Sequence, residues 1–145
     1  MTRPAPLVFA ALFIFLALTA ARLPAAAPVA PAPLVLAGQI TNTTHDVTAP
    51  ARFELTFTGE TIGGFLTVEK PLLEGRWPVE GTRRGAWLEI ICRQTPTTRV
   101  VFSGVLSATE LRGTYIFGGG GELVQYGRFQ TATQPAQPLL PPPPK

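Results

Sequence analysis

The chain has 145 residues, with twelve Lys or Arg against nine Asp or Glu and a pI near 9.6. Arg3, Arg22 and Lys145 stand near its ends, and between Leu34 and Thr133 the count is nine against nine, so the middle is formally neutral. Nucleic-acid binding draws on clustered cationic charge that displaces counterions. Only Arg83-Arg84 are adjacent, beside Gly85 in an apparent hairpin turn, so no nucleic-acid interface is expected.

Residues 1–21 are built like an export signal. Arg3 gives a positive start, Leu7 to Ala20 is an uncharged apolar run, and Thr19-Ala20-Ala21 offers a cleavage site. The run is short for a membrane span. The alternative is an uncleaved anchor, because Pro24, Pro28, Pro31 and Pro33 crowd the region after that site; the chain would meet a membrane only in that case. Residues 22–33 are mostly Ala and Pro, and residues 134–145 read QPAQPLLPPPPK. Proline-rich runs favour an extended, solvated conformation, so both are expected to be spacers. A Pro-rich tail is also a potential ligand for an aromatic groove.

Between them, residues 34–133 break into eight apolar runs, taken as strands at Leu34–Thr41, Ala51–Thr58, Gly64–Glu69, Val79–Arg83, Ala86–Arg93, Arg99–Leu106, Leu111–Phe117 and Leu123–Thr131. The second is the clearest, with Phe53, Leu55 and Phe57 alternating with polar residues, as one dry face requires. In the fifth, Leu88, Ile90 and Cys92 point inward and Trp87, Glu89 and Arg93 outward. Phe102, Tyr115, Phe117 and Phe129 complete the predicted interior. No helical period is evident. Five glycines precede a large apolar residue by two positions, at Gly38, Gly64, Gly104, Gly113 and Gly127. Glycine on the inner face lets strands bend and backbones approach. The short connections force antiparallel neighbours, and eight such strands leave bare edges unless the sheet closes. The expected fold is all-β, an eight-stranded antiparallel up-and-down barrel.

The succession LAGQI, FELTFTGETIGGFLTV, LRGTY and YGRFQ over residues 34–133 resembles exported bacterial barrels of the avidin-like and lipocalin-like type. The likeness is one of architecture and implies a binding protein. Avidins hold biotin between several tryptophans and polar groups, whereas this chain has Trp77 and Trp87 alone, and lipocalins carry an early Gly-x-Trp where Gly38-Gln-Ile40 stands here. Periplasmic metalloprotease inhibitors are similar in size and shape and insert their N-terminal segment into the protease. Their usual disulfide has no counterpart in a chain with one cysteine.

Catalytic chemistry is sparse. His45 and Cys92 are the sole histidine and cysteine, one placed in the first long loop and the other inside a strand. Cys92 reads as a small buried hydrophobe. His45-Asp46 has no companions for a zinc site, which wants three or four ligands. No catalytic residue, metal or cofactor is expected. In an up-and-down barrel, alternate loops share a rim; here loops 42–50, 70–78, 94–98 and 118–122 do so, carrying His45, Asp46, Leu72, Leu73 and Trp77. Barrel mouths commonly hold ligands. The alternative is that Leu72, Leu73 and Trp77 cap the barrel as ordinary core. Asn42-Thr43-Thr44 matches a glycosylation acceptor and marks the first of these loops as exposed. The reading is therefore a non-enzymatic exported barrel that binds a small apolar ligand or an exported partner protein at this rim. The alternatives are a protease-inhibitor-like protein acting through Leu34 and the segment before it, and a structural module of the cell envelope.

Overall fold

Eight strands follow one another with no helix between them in the computed structural model, which describes residues 31–119 and 121–135. They are β1 (Leu34–Asn42), β2 (Val47–Thr58), β3 (Thr61–Val68), β4 (Gly75–Arg84), β5 (Trp87–Arg93), β6 (Thr98–Leu106), β7 (Glu110–Gly119) and β8 (Glu122–Thr133). Each runs antiparallel to its chain neighbours, and β8 pairs back onto β1 from Asn42↔Gly127 to Leu36↔Thr133, so the sheet closes. Closure removes both edges at once. The export signal expected at residues 1–21, and all of the two spacers except residues 31–33 and 134–135, lie outside the described residues.

All the strands but β5 are longer than the apolar runs that announce them. β2 begins at Val47 and β4 at Gly75, so Pro50 and Pro78, which the sequence places in loops, stand inside strands. Pro50 pairs with Gln39 one step before the β2–β3 pairing begins at Ala51↔Val68. Pro78 pairs with Phe65 one step before the β4–β5 pairing begins at Val79↔Cys92. Each proline therefore sits where its strand has a partner on one side only, the position a missing N–H tolerates. Trp77 moves with Pro78: it is a β4 residue opposite Leu66, not a loop residue.

The inward glycines explain how eight short strands coil tightly enough to close. A Cβ at Gly38, Gly64, Gly81 or Gly113 would run into the main-chain oxygen of Gln130, Glu54, Glu89 or Ser103 on the adjacent strand. Two more make room for rings. Gly104 leaves space that the edge of Phe129 fills, and the Tyr115 ring lies where a side chain at Gly127 would be.

Inside, Phe53 meets Phe102 edge-on at 5.4 Å between centroids, and Phe129 packs against both at 5.8 and 5.4 Å. Leu36, Leu55, Ile62, Leu66, Leu88, Ile90 and Leu111 surround this cluster and are at most 1 % exposed. Each buried aliphatic or aromatic side chain contributes roughly 1.5–3 kcal/mol relative to exposure. Phe57, also predicted inside, is only partly buried at the end of β2, where the Arg83 guanidinium lies 5.3 Å from its ring centre. The outer surface is polar in places, with Glu54 between Arg52 and Arg76 at 3.3 and 3.0 Å.

Candidate ligand site at the barrel mouth

The two ends of the barrel are made differently. At one end the connections are the tight turns 59–60, 85–86 and 107–109, where Gly59 (φ 60°) and Gly85 (φ 61°) supply the left-handed conformation that short hairpins need. Leu36, Leu55, Ile62, Leu88 and Leu111 fill this end, with Leu34, Phe57 and Leu106 packed over them. Its one buried polar side chain, Thr131, donates from Oγ1 to the Leu111 carbonyl at 3.0 Å. Both chain ends leave here, and the Gln134 N–H bonds to the Val35 carbonyl at 3.0 Å.

At the other end the inward positions carry smaller groups: Ala49, Val68, Cys92 and Val100. A cavity of about 210 Å³ remains, with Phe102 and Leu66 low in its wall, Ile40, Val68, Val100, Tyr115 and Phe117 around it, and Leu72 and Leu73 at its lip. An apolar cavity of roughly 150 Å³ is enough to admit benzene, and pockets for drug-sized ligands begin at about 300 Å³. The size suits one ring.

Three side-chain amides line the same space, from Asn42, Gln94 and Gln125. Asn42 Nδ2 donates to Gln125 Oε1 at 2.6 Å, and Asn42 Oδ1 accepts the N–H groups of Thr44 and His45 at 3.0 and 3.1 Å. Gln94 is different. Its Oε1 is buried and has no hydrogen-bond partner. No side chain lining the cavity is charged, and burial pushes the phenol of Tyr115 up to about 12, so it stays neutral across the physiological range. Cys92, beneath the wall between Val79 and Val100, is fully buried with its thiol pushed up to about 11 by desolvation. A thiol so placed is not a nucleophile near neutrality.

Of the rim residues named from sequence, Leu72 and Leu73 line the cavity, half-buried and 62 % exposed respectively. Trp77 packs against the core with its ring over Gly75 and does not reach the cavity. His45 and Asp46 are exposed in the four-residue β1–β2 turn, away from the cavity wall. Asp46 adopts φ 54°, a left-handed geometry that Asp tolerates better than most residues. The turn is exposed as expected, but Asn42 itself is 6 % exposed with its amide engaged, so it does not present the acceptor nitrogen that glycosylation needs. Among the described residues, no three His, Cys, Asp or Glu side chains cluster as metal ligands would.

Comparison with solved structures finds a barrel of the same kind in the crystal structure of a rhizavidin–biotin complex, with a TM-score of 0.56. The fold is avidin-like. The alignment covers 77 % of this chain and 100 % of that one at 11 % identity, a likeness of architecture. No protein-family model and no curated protein matches the sequence.

The wall residues Ile40, Asn42, Leu66, Val68, Gln94, Val100, Phe117 and Gln125 are absent from the rim set named from sequence. A partial signal for them exists: some inward positions near the long loops, Ala49, Val68, Cys92 and Val100, carry short side chains.

Proposed function

We propose that this protein is an exported, non-enzymatic barrel that takes up a small, largely apolar ligand through its mouth. The observation that carries this reading is the 210 Å³ cavity, open at the long-loop rim and walled by aliphatic and aromatic side chains. The avidin-like architecture supports it, since rhizavidin is seen in complex with a small molecule, biotin. A protein partner docking at the rim, or a barrel acting only as a spacer, gives no reason for an apolar hollow there. β1 begins and β8 ends at the closed end, opposite the mouth.

Calorimetric titration of the full chain with toluene and with p-cresol tests the reading. One-to-one binding of at least one probe is expected, and its loss in Val68→Phe, where the added ring occupies the cavity. Should neither probe bind the parent chain, or should Val68→Phe bind as well as the parent, the mouth is not the site.

A further inference from the structure

The composition of the wall narrows the ligand further, on the reading of the mouth as the binding site. We infer that the ligand is an uncharged, single-ring molecule bearing one hydrogen-bond donor, such as a hydroxyl, and that the Gln94 amide receives that donor.

Three observations converge. The first is electrical. A charged ligand entering the cavity leaves water for a wall that offers no opposite charge, and the cost of burying an unpaired ion is prohibitive. A carboxylate-bearing ligand such as biotin is disfavoured on this ground. The second is spatial: 210 Å³ accommodates one substituted ring.

The third is the state of the three amides. Asn42 and Gln125 are bonded to each other, and the Asn42 oxygen also holds the β1–β2 turn. Recruiting either to a ligand breaks a bond the fold already uses. Gln94 Oε1 has nothing to lose. A buried carbonyl oxygen without a partner costs on the order of 1–3 kcal/mol. The side chain belongs to the short β5–β6 connection, whose backbone is held by Gln94 N–H to the Thr98 carbonyl at 3.2 Å, so the amide can turn about its own bonds without disturbing a strand. Turned to the cavity, it accepts a ligand donor and relieves its own deficit in one movement.

A hydroxyl is a sharp probe of this arrangement. It is better hydrated than the ring hydrogen it replaces, so in a wall with no partner p-cresol binds less tightly than toluene. With Gln94 as acceptor the order reverses, by about tenfold for one net hydrogen bond. The experiment is calorimetry of the full chain and of Gln94→Leu with toluene, p-cresol and benzoate at neutral pH. The expected result is p-cresol tighter than toluene in the parent, toluene at least equal to p-cresol in Gln94→Leu, and no binding of benzoate to either. Toluene equalling or exceeding p-cresol in the parent overturns the ligand class and leaves the mouth site standing. A p-cresol preference that persists in Gln94→Leu overturns the role of Gln94, and benzoate binding as tightly as p-cresol overturns the exclusion of charge. If neither toluene nor p-cresol binds, the mouth reading falls first and this inference with it.

Discussion

The closed end of the barrel and its mouth are built from the same eight strands, yet one is solid and the other hollow. The ladders are looser at the mouth, where residues 47–50 and 75–78 are paired on one side only and β7 shifts register between Phe117 and Gly119, and the inward side chains differ in length as well. Leu36, Leu55, Ile62, Leu88 and Leu111 point inward where the tight turns lie, whereas beneath the longer loops Ala49, Val68, Cys92 and Val100 stand among the larger Ile40, Tyr115 and Phe117. Interiors pack to crystal-like density when the groups are large enough to meet. The strands around the hollow belong to a sheet closed on itself, so the backbone is held back from collapsing to fill the gap. The barrel holds its cavity open because it is closed as a sheet.

The polar groups divide in the same way. The solid end satisfies its buried hydroxyl, Thr131, through one bond to the Leu111 carbonyl. The mouth carries three amides, two of them mutually satisfied and one not. A stability-only design would have an apolar side chain at position 94. The exception falls in the cavity wall, where the proposed ligand would supply the missing partner.

The largest expected effect tests whether stability comes from the filled region. Phe53→Ala deletes a fully buried ring of the aromatic cluster and is expected to cost about 3–5 kcal/mol. Phe117→Ala, at the half-buried cavity wall, is expected to cost less than half of that. Urea unfolding of both variants measures the contrast, and equal losses would erase the distinction between solid end and mouth.

An intermediate effect is expected at the rim. Asn42→Ala removes the acceptor for two turn N–H groups and the donor to Gln125, and is expected to cost roughly 1–2 kcal/mol, as the loss of a buried polar anchor does. Amide exchange should quicken at Thr44 and His45 while the 59–60 turn keeps its protection. Faster exchange at both ends would show that the rim is not independent.

The smallest effect is alkaline. The two interior groups with shifted ionisation, Cys92 and Tyr115, both belong to the mouth half. Burial raises Cys92 from 9.0 to about 11 and Tyr115 from 10.0 to about 12, favouring their neutral forms in the folded state. The unfolded chain therefore releases these protons first, so their contribution is intact below pH 9 and is lost as pH rises from 9 through about 12. Cys92→Ser combined with Tyr115→Phe should flatten this decline in melting temperature. A decline unchanged in the double variant would assign it elsewhere.

Alternating runs such as Phe53-Glu54-Leu55-Thr56-Phe57, with turn residues between them, were enough to specify strands, their order and the inward face, because a strand's two faces follow from a period of two. The inward glycines carried closure as well. The site was less legible. Trp77 reads as a loop residue because Pro78 follows it, and only the register shows that β4 lacks its second neighbour at that proline. His45 and Asp46, placed from sequence in a rim loop, do occupy an exposed turn there, but outside the cavity wall.

Sequence alone, then, determined which residues face the axis and that the sheet must close, since periodicity and short connections are local properties. Tertiary structure decided that Asn42 and Gln125, 83 positions apart, satisfy one another, that Gln94 does not find a partner, and that short side chains from several strands leave one shared hollow. Those outcomes depend on the stagger of strands around the barrel, which brings together residues that no local pattern relates.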